Sequence, residues 1–440
     1  MPTEYLAILC IVSFFVLLMI GLPVALTLAV SGLFFGFIGF GAGLFSLLPA
    51  RIYGVTANYT LIAIPLFVFM GVMLEKSRLA EELMDVIGHL AGNLRGGMGI
   101  GIVLVGVLMG ATTGIVGATV VTLGLLTLPT LLRRGYDKRV ACGSICASGT
   151  LGQIIPPSLI LILLADILGE SVGTLFAAAV IPGLALAGIY CVYFIGLGML
   201  RPDLVPPVSL AERDGLSRRD LLSKVLRVGL PPIALVLAVL GSIIGGVAAP
   251  TEAASMGALG SILVTAVSRR FSWSVLKDTV QTTTRITAGM MFILVCAQVF
   301  ALAFRGLQGE KLVHDMFAYV PGGIEADIWF MMLIIFILGF FIEWIEISYI
   351  VVPLFLPILI NANVDMVWIA ILIAVNLQTS FLTPPFGWAL FYLRGVAPPE
   401  IRTEDIYAGV VPFIVLQLVT LAIVFYSPGL ATWLPKAIGW

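Results

Sequence analysis

Ten stretches of this sequence are long enough and apolar enough to cross a lipid bilayer. A transmembrane helix needs about 20 consecutive apolar residues, and runs near that length lie at 5–22, 24–41, 58–75, 140–165, 175–200, 230–248, 252–268, 285–303, 366–393 and 406–427. The chain is 60% hydrophobic and 11% charged, whereas soluble domains average about 45–50% and about 25%. The sequence therefore predicts an all-α integral membrane protein. The balance of 23 basic and 24 acidic residues leaves no basic excess for nucleic-acid binding.

Two further apolar regions, 97–132 and 326–361, are too long for one helix and are interrupted near the middle. The first is broken at 112–114 and the second around 342–344. Each half has about 15 residues, which is about 22 Å of helix at 1.5 Å per residue and is short of the hydrocarbon core. We therefore predict two re-entrant helical hairpins whose tips end inside the membrane.

The two halves of the chain repeat one another. Pro129 precedes a Pro-Pro pair at 156–157 by 27 residues, and Pro357 precedes a second pair at 384–385 by the same 27, which gives an internal offset of 228. Each half has five crossings and one hairpin, and this odd count inverts the second half in the membrane. Two inverted-topology repeats are typical of secondary transporters.

The repeat divides the chain into a first unit at 1–200, a charged cytoplasmic linker at 201–228 and a second unit at 229–440. Each unit is predicted to contain scaffold helices, an interfacial helix, the hairpin, a broken helix and a last helix. In the first unit these elements cover 5–75, 76–92, 97–132, 140–165 and 175–200, and in the second unit 230–303, 304–319, 326–361, 366–393 and 406–427.

Basic residues indicate the orientation, because cytoplasmic loops are enriched in Lys and Arg. With the N-terminus outside, all but four of the 23 Lys and Arg residues fall on the inner side. The exceptions are Arg51, Arg305, Lys311 and Lys436. The first hairpin then opens from the cytoplasm and the second from the opposite face, so that their tips can meet near the midplane.

The crossing after each hairpin carries a polar interruption with a Pro-Pro pair, at 148–158 and at 376–385. Proline frees backbone carbonyls, and freed backbone at membrane depth is tolerated only when it is buried in protein or lines a wet cavity. Carbonyls with Ser and Thr hydroxyls are hard oxygen ligands suited to a cation such as Na⁺. The resumed half-helices point unpaired N–H groups at an anion. The alternative is that small residues only permit close helix packing. We favour this alternative for isolated positions such as Gly106 and Ser31.

Few acidic residues lie inside the predicted membrane segments. Glu343 and Glu346 occupy the second hairpin's break, where an ionisable group is a functional candidate. Glu252 is predicted to cap its helix, and Asp166 and Glu170 are interpreted as interfacial loop residues.

No Lys or Arg lies between Arg139 and Arg201 or between Lys311 and Arg394. An anionic substrate would therefore be met by helix ends and bound cations, which favours cation-coupled symport over a passive channel. An intramembrane enzyme is disfavoured, because the sequence has no membrane-embedded His, no Ser/Lys or paired-Asp constellation and no basic cluster for phosphate.

Several short motifs run along the chain: LIAIPLFVFMG at 61–71, RGY at 134–136, GTLG at 149–152 with IPPS at 155–158, IPG at 181–183, PTE at 250–252 and TPP at 383–385. Together they resemble the large membrane subunit of tripartite ATP-independent periplasmic (TRAP) transporters, the DctM-like family. The resemblance covers nearly the whole chain. Departures are QTS at 378–380 and the acidic tip EWIE at 343–346, where many members have smaller residues.

The resemblance implies an elevator-type, Na⁺-driven importer of organic acids in the bacterial inner membrane, with a periplasmic N-terminus. Hairpins and broken helices would move as a rigid body against a static scaffold. Expected partners are a small four-helix membrane subunit (DctQ-like), as a separate polypeptide, and a periplasmic substrate-binding protein (DctP-like) that delivers a carboxylate. The open alternative is a stand-alone cation-coupled carboxylate transporter or antiporter that needs neither partner.

In the family, the hairpin tips and broken helices form the sodium and substrate sites. Carried over by position, the predicted substrate-binding residues are Thr113, Gly114, Gly152, Ser158, Glu343, Gln378 and Thr379. The predicted Na⁺-binding residues are Thr112, Ser148, Gly149, Thr150, Ser380 and Thr383.

Overall fold

A computed structural model describes residues 3–77, 82–84, 86, 94–207, 226–385 and 387–440. The ordered elements within these ranges are all helices, which confirms the predicted all-α class. The predicted interfacial helix at 76–92 and the linker at 201–228 lie mostly outside the described residues, so their structure stays a prediction.

The first half contains nine described helices. They are α1 (Thr3–Met19), α2 (Val24–Phe40), α3 (Gly43–Thr56), α4 (Ala63–Lys76, after a 3₁₀ turn at Thr60–Ile62), α5 (Gly97–Thr113), α6 (Val116–Arg133), α7 (Lys138–Thr150), α8 (Leu159–Leu168) and α9 (Val172–Leu200). In this half α5 and α6 form the first hairpin, and α7 and α8 form the first broken helix.

The second half also has a hairpin followed by a broken helix and a long helix. Its described helices are α10 (Leu230–Ile244), α11 (Pro250–Val267), α12 (Trp273–Gly306), α13 (Gly309–Ala318), α14 (Ile324–Leu338), α15 (Trp344–Asn361), α16 (Met366–Ser380), α17 (Trp388–Val396), α18 (Thr403–Tyr426) and α19 (Gly429–Ala437). Here α14 and α15 form the second hairpin, and α16 and α17 form the second broken helix. A π-helical stretch at Ile347–Val351 lies inside α15.

Five described helices are each long and apolar enough to cross a membrane: α6, α9, α12, α15 and α18. The bent pair α3 and α4, which meet at 53°, would make a sixth. Two of the five are hairpin arms, and α6 has 18 residues instead of the predicted 15 or so. Arm length alone therefore does not show that the hairpins are re-entrant.

Equivalent aspartates begin the two broken helices. The Asp137 carboxylate accepts from Arg139 N at 2.9 Å, and the Asp365 carboxylate accepts from Val367 N at 3.0 Å. These two N-caps are 228 positions apart, which is the offset of the proline pairs. Glu252 caps α11 as predicted, because its Oε2 accepts from Ala249 N at 2.9 Å.

The described helices fall into two packing groups. The scaffold group comprises α1 to α4 and α10 to α12, in which α2 packs on α12 and α4 packs on α11. The hairpin group comprises both hairpins, both broken helices, α9, α18 and α19. The groups meet where α4 packs on α5, where α12 packs on α15, and where α10 packs on α9 and α5.

Glycines allow backbones to touch within both groups. A Cβ on Gly32 of α2 would lie 2.8 Å from the Phe300 Cα of α12, and a Cβ on Gly143 of α7 would overlap the Gly409 carbonyl of α18. Close approach through small residues is typical of helix packing in membranes.

Candidate functional site

The first candidate element is the break in the α7–α8 helix. After Thr150 the chain makes a 3₁₀ turn at Leu151–Gln153, passes a cis Pro156–Pro157 bond and resumes a helix at Leu159. The first hairpin lies directly against this break, because a Cβ on Gly110 would overlap the backbone of Gly152. Gly110 is one turn from the hairpin tip, so the tip and the break lie at the same level.

The second break repeats this arrangement. Helix α16 ends at Ser380, a cis Pro384–Pro385 bond follows, and α17 begins at Trp388. A Cβ on Gly339, at the end of α14, would overlap the Ser380 side chain. Ser380 and Gly152 are 228 positions apart, so each hairpin touches its own broken helix at an equivalent point.

The two breaks are joined by one side-chain contact. Gln378 Nε2 donates to Thr150 Oγ1 at 3.4 Å, and both side chains are fully buried. These residues are themselves 228 positions apart. The two breaks therefore meet at equivalent positions of the repeat that the sequence predicts.

Most hydroxyls predicted to bind Na⁺ donate their proton to a backbone carbonyl one turn earlier. The pairs are Thr112 to Met109 at 2.9 Å, Thr150 to Ala147 at 2.9 Å, Ser380 to Leu377 at 2.7 Å and Thr383 to Thr379 at 2.9 Å. Thr379, predicted for substrate, donates to Val375 at 2.9 Å. A hydroxyl has one proton and two lone pairs, so each of these oxygens retains acceptor capacity for a cation.

Three buried polar side chains near the breaks have unsatisfied atoms. Ser148 Oγ, Gln378 Oε1 and both amide atoms of Gln153 have no hydrogen-bond partner among the described residues. A buried unpaired polar group costs about 1–3 kcal/mol, and such groups in a native protein call for a ligand or water. Gln153 is absent from the predicted set, although an amide between Gly152 and the proline pair was a visible signal.

Gly114, Gly149 and Ser158 lie at or beside the same break. Gly114 ends α5 with φ +61°, and its N–H donates to Gly110 O at 2.9 Å. Gly149 lies against Val120 of α6 with no room for a side chain, and Ser158 Oγ donates to Gln153 O. Thr113 is the last residue of α5.

The tip of the second hairpin also contacts α12 and α8. Half-buried Glu343 precedes the first turn of α15, which packs chiefly on α12 and α8. Glu346 and Ser348 follow, both buried, and Glu346 Oε2 and Ser348 Oγ have no partner among the described residues. Asn376, one more residue outside the predicted set, donates to Met332 O of α14 at 2.7 Å.

The interpretation of Asp166 as a loop residue is wrong. It lies in the last turn of α8, where its Oδ1 accepts from Asn58 Nδ2 at 2.6 Å and its Oδ2 accepts from Tyr349 Oη at 2.7 Å. From sequence alone, an isolated carboxylate at the end of an apolar run is expected to lie at the membrane interface. Its partners come from residues 108 and 183 positions away, which sequence spacing does not indicate.

Comparison with known proteins decides the family. The profile described as "Tripartite ATP-independent periplasmic transporter, DctM component" matches residues 11–430. The chain belongs to the DctM family. The resemblance predicted from its motifs is thereby confirmed, and membership in a family of transporter components agrees with a transport role and not an enzymatic one.

Two relatives illustrate the DctM family. The C4-dicarboxylate TRAP transporter large permease protein DctM of Pseudomonas aeruginosa is 31% identical over 398 residues, 89% of this chain and 90% of that protein. The isethionate TRAP transporter permease protein DctMQ of Oleidesulfovibrio alaskensis is 30% identical, over 85% of this chain and 58% of that protein.

The fold of this DctM chain is also similar to a solved transporter. The crystal structure of the YdaH transporter of Alcanivorax borkumensis matches with a TM-score of 0.62 at 14% identity, covering 88% of this chain and 89% of that one. At this identity the match concerns the fold alone. It agrees with a multi-pass membrane protein.

Proposed function

We propose that this chain is the large membrane subunit of a TRAP transporter that couples the import of a small organic anion to Na⁺. The observation that carries the proposal is the meeting of the two breaks at Thr150 and Gln378, with buried, unsatisfied polar atoms around them. Broken helices with polar atoms near the membrane midplane are where secondary transporters bind substrate and coupling ions.

Sodium fits the oxygen donors at both breaks. One sodium site would use Thr112, Ser148, Thr150 and the Gly149 carbonyl. The other would use Ser380 and Thr383. Four of these five hydroxyls already donate to carbonyls, so their lone pairs remain for a hard cation, which prefers oxygen ligands.

The substrate would be an organic acid held between the hairpin tips. The proposed substrate site comprises seven residues: Thr113, Ser158, Glu343, Gln378, Thr379 and the backbone of Gly114 and Gly152. The broken helices lack Lys and Arg in this region, so the helix starts at Leu159 and Trp388 and the bound sodium ions supply the positive field. The relatives' names mention a C4-dicarboxylate and isethionate, which are both small organic anions.

Transport would follow an elevator movement of the hairpin group along the scaffold group. Equivalent contacts at Gly110–Gly152 and Gly339–Ser380 support inverted repeats and hairpin tips that stop at the level of the breaks. A hairpin whose tip stops at the level of the breaks, inside the membrane, is re-entrant even though α6 is 18 residues long. The proposed location is the bacterial inner membrane with a periplasmic N-terminus.

The proposed partners are a DctQ-like small membrane subunit and a DctP-like periplasmic binding protein. The Oleidesulfovibrio relative is named DctMQ, which supports the association of a DctM chain with a DctQ-like component.

Uptake by proteoliposomes tests the proposal. The complex with its small subunit and binding protein is expected to accumulate succinate or isethionate under an inward Na⁺ gradient, and not under equal K⁺ or choline gradients. Ser380→Ala should abolish this uptake. Ser261→Ala is a matched control, because Ser261 is equally buried and donates to Ala258 O at 2.7 Å within the scaffold group. Uptake without the binding protein would instead support the stand-alone transporter.

A further inference from the structure

A polar cavity of about 220 Å³ lies between the scaffold group and the hairpin group. Its scaffold wall includes Arg51 of α3 with Gln298 and Arg305 of α12, and its other wall includes Asp166 of α8 and Tyr349 of α15. None of these residues belongs to the site at the two breaks. The cavity lies near the C-terminal ends of α3, α8 and α12, and the predicted orientation places Arg51 and Arg305 on the periplasmic side.

Two guanidinium groups give the cavity its anion chemistry. Arginine is always charged, and its planar fork matches a carboxylate or sulfonate with two parallel hydrogen bonds. Arg51 and Arg305 supply this fork from the scaffold side, whereas the broken helices carry no Lys or Arg in their membrane part. The cavity therefore offers a fixed positive charge that the midplane site lacks.

Arg305 is available to a ligand at little cost. Its Nε lies 3.1 Å from Glu310 Oε1, but the two side chains are 37% and 45% exposed. An exposed ion pair of this kind is worth at most about 1 kcal/mol. An incoming anion can therefore replace Glu310 as the partner of Arg305.

Asp166 makes the opposite wall rigid. Asn58 and Tyr349 each donate to one of its carboxylate oxygens, at 2.6 and 2.7 Å, and Asn58 Oδ1 accepts from Thr60 N at 2.9 Å. The carboxylate is therefore fixed between the scaffold group and the second hairpin. Its charge repels an anionic group on that side, so a bound anion is oriented towards Arg51 and Arg305.

We propose that this cavity is a receiving site for the transported organic anion, in which Arg51 and Arg305 hold its carboxylate or sulfonate group before it reaches the two breaks. The inference rests on the proposed function and adds a first binding step on the scaffold side.

The test is the concentration dependence of uptake by the complete complex, with succinate and isethionate as probes. Arg51→Gln and Arg305→Gln are expected to raise the half-saturating concentration about tenfold, because each removes a charged hydrogen-bond donor, and to leave the maximal rate within twofold. Arg51→Lys and Arg305→Lys should recover part of the loss. Lys311→Gln is the matched control, because Lys311 is an exposed cation near the same end that pairs with Glu4 at 2.8 Å and does not line the cavity.

The outcomes separate the two proposals. If the wild type accumulates the probes and both arginine variants match Lys311→Gln, the receiving site is wrong and the proposed function stands. If the wild type accumulates neither probe, the proposed function fails, and the receiving site with it. A third experiment compares uptake by the arginine variants in phosphatidylcholine vesicles with and without phosphatidylglycerol. A defect confined to the anionic lipid would assign the guanidiniums to lipid phosphate and overturn the proposal.

A labelling experiment measures the cavity without transport. Ala301 also lines it, so Ala301→Cys in a variant without the five native cysteines gives one thiol there. A sulfonate-bearing thiol reagent is expected to react faster than its trimethylammonium analogue, and succinate or isethionate should slow the reaction. Arg51→Gln with Arg305→Gln should remove the preference. Equal rates with the arginines present would contradict an anion site.

Discussion

At the scale of single residues, hydrogen bonding distinguishes two buried amides of the second broken helix. Gln378 and Asn376 lie two positions apart in α16, and both are buried. Asn376 donates to Met332 O, whereas Gln378 Oε1 has no partner among the described residues. A buried group that is left unpaired lowers stability and persists where function requires it.

Substitution of these two amides should have opposite effects. Gln378→Met is expected to abolish uptake and to leave Tm unchanged or higher, because the removal of an unpaired buried oxygen offsets the loss of the long 3.4 Å hydrogen bond from Nε2 to Thr150. Asn376→Leu is expected to lower stability by about 1–3 kcal/mol, because it leaves the Met332 carbonyl without its donor. Thermal unfolding of the purified protein, measured beside uptake, separates the two. Lower stability for Gln378→Met would argue against a ligand-binding role.

The sequence predicted where the binding chemistry lies but not how each side chain is paired. The breaks and their Ser, Thr and Gln residues are visible as polar, proline-containing interruptions of apolar runs. The unpaired amide of Gln153 and the two donors to Asp166 depend on how close a hairpin or a distant loop approaches. Such approaches are tertiary and leave no local pattern.

At the scale of elements, glycine sets the distance between each hairpin and its broken helix. Gly110 and Gly152 bring the α5 backbone against the first break. Gly110→Ala is expected to separate them and to lower stability by about 1–3 kcal/mol, as overpacking does, with loss of uptake. Gly188→Ala in α9 is the control, because nothing lies within 4 Å of its added Cβ. Normal uptake by Gly110→Ala would show that this contact is not needed.

Hydrophobic length indicated ten crossings and two breaks, whereas five described helices, or six with the bent pair, are long enough to span a membrane. It also missed short or irregular elements. Helix α3 contains Pro49, and α19 contains Pro435, and both are shorter than a crossing. The π-helical stretch at Ile347–Val351 also has no signature in hydropathy. The arms of the first hairpin are longer than predicted, because the chain turns in only two residues between α5 and α6.

At the scale of the whole molecule, the proposed elevator requires the hairpin group to slide along the scaffold group. One contact between them is the hydrogen bond from Thr122 Oγ1 of α6 to Glu75 Oε1 of α4, at 3.2 Å. Cysteines at both positions, bridged by a short bifunctional thiol reagent, are expected to stop uptake. Single-cysteine variants treated with the same reagent should keep it. Undiminished uptake in the bridged protein would exclude relative movement at this contact.

The internal repeat is the whole-molecule feature that the sequence indicated most directly. The offset of 228 recurs in the proline pairs, in the N-caps Asp137 and Asp365, and in the contact between Thr150 and Gln378. Sequence alone gives the offset, while the contact shows that the equivalent positions face each other. The proposed function accordingly places one sodium site at each break.

Thermal stability in different salts tests that claim most directly. A ligand that binds only the folded state stabilises it by about 2.7 kcal/mol at a hundredfold excess over Kd. The purified complex with its small subunit should therefore show a saturable rise in Tm in NaCl and none in equal KCl or choline chloride. The rise should be reduced in Ser380→Ala and retained in Ser261→Ala. The same Tm in all three salts, or an undiminished rise in Ser380→Ala, would contradict sodium binding at the breaks.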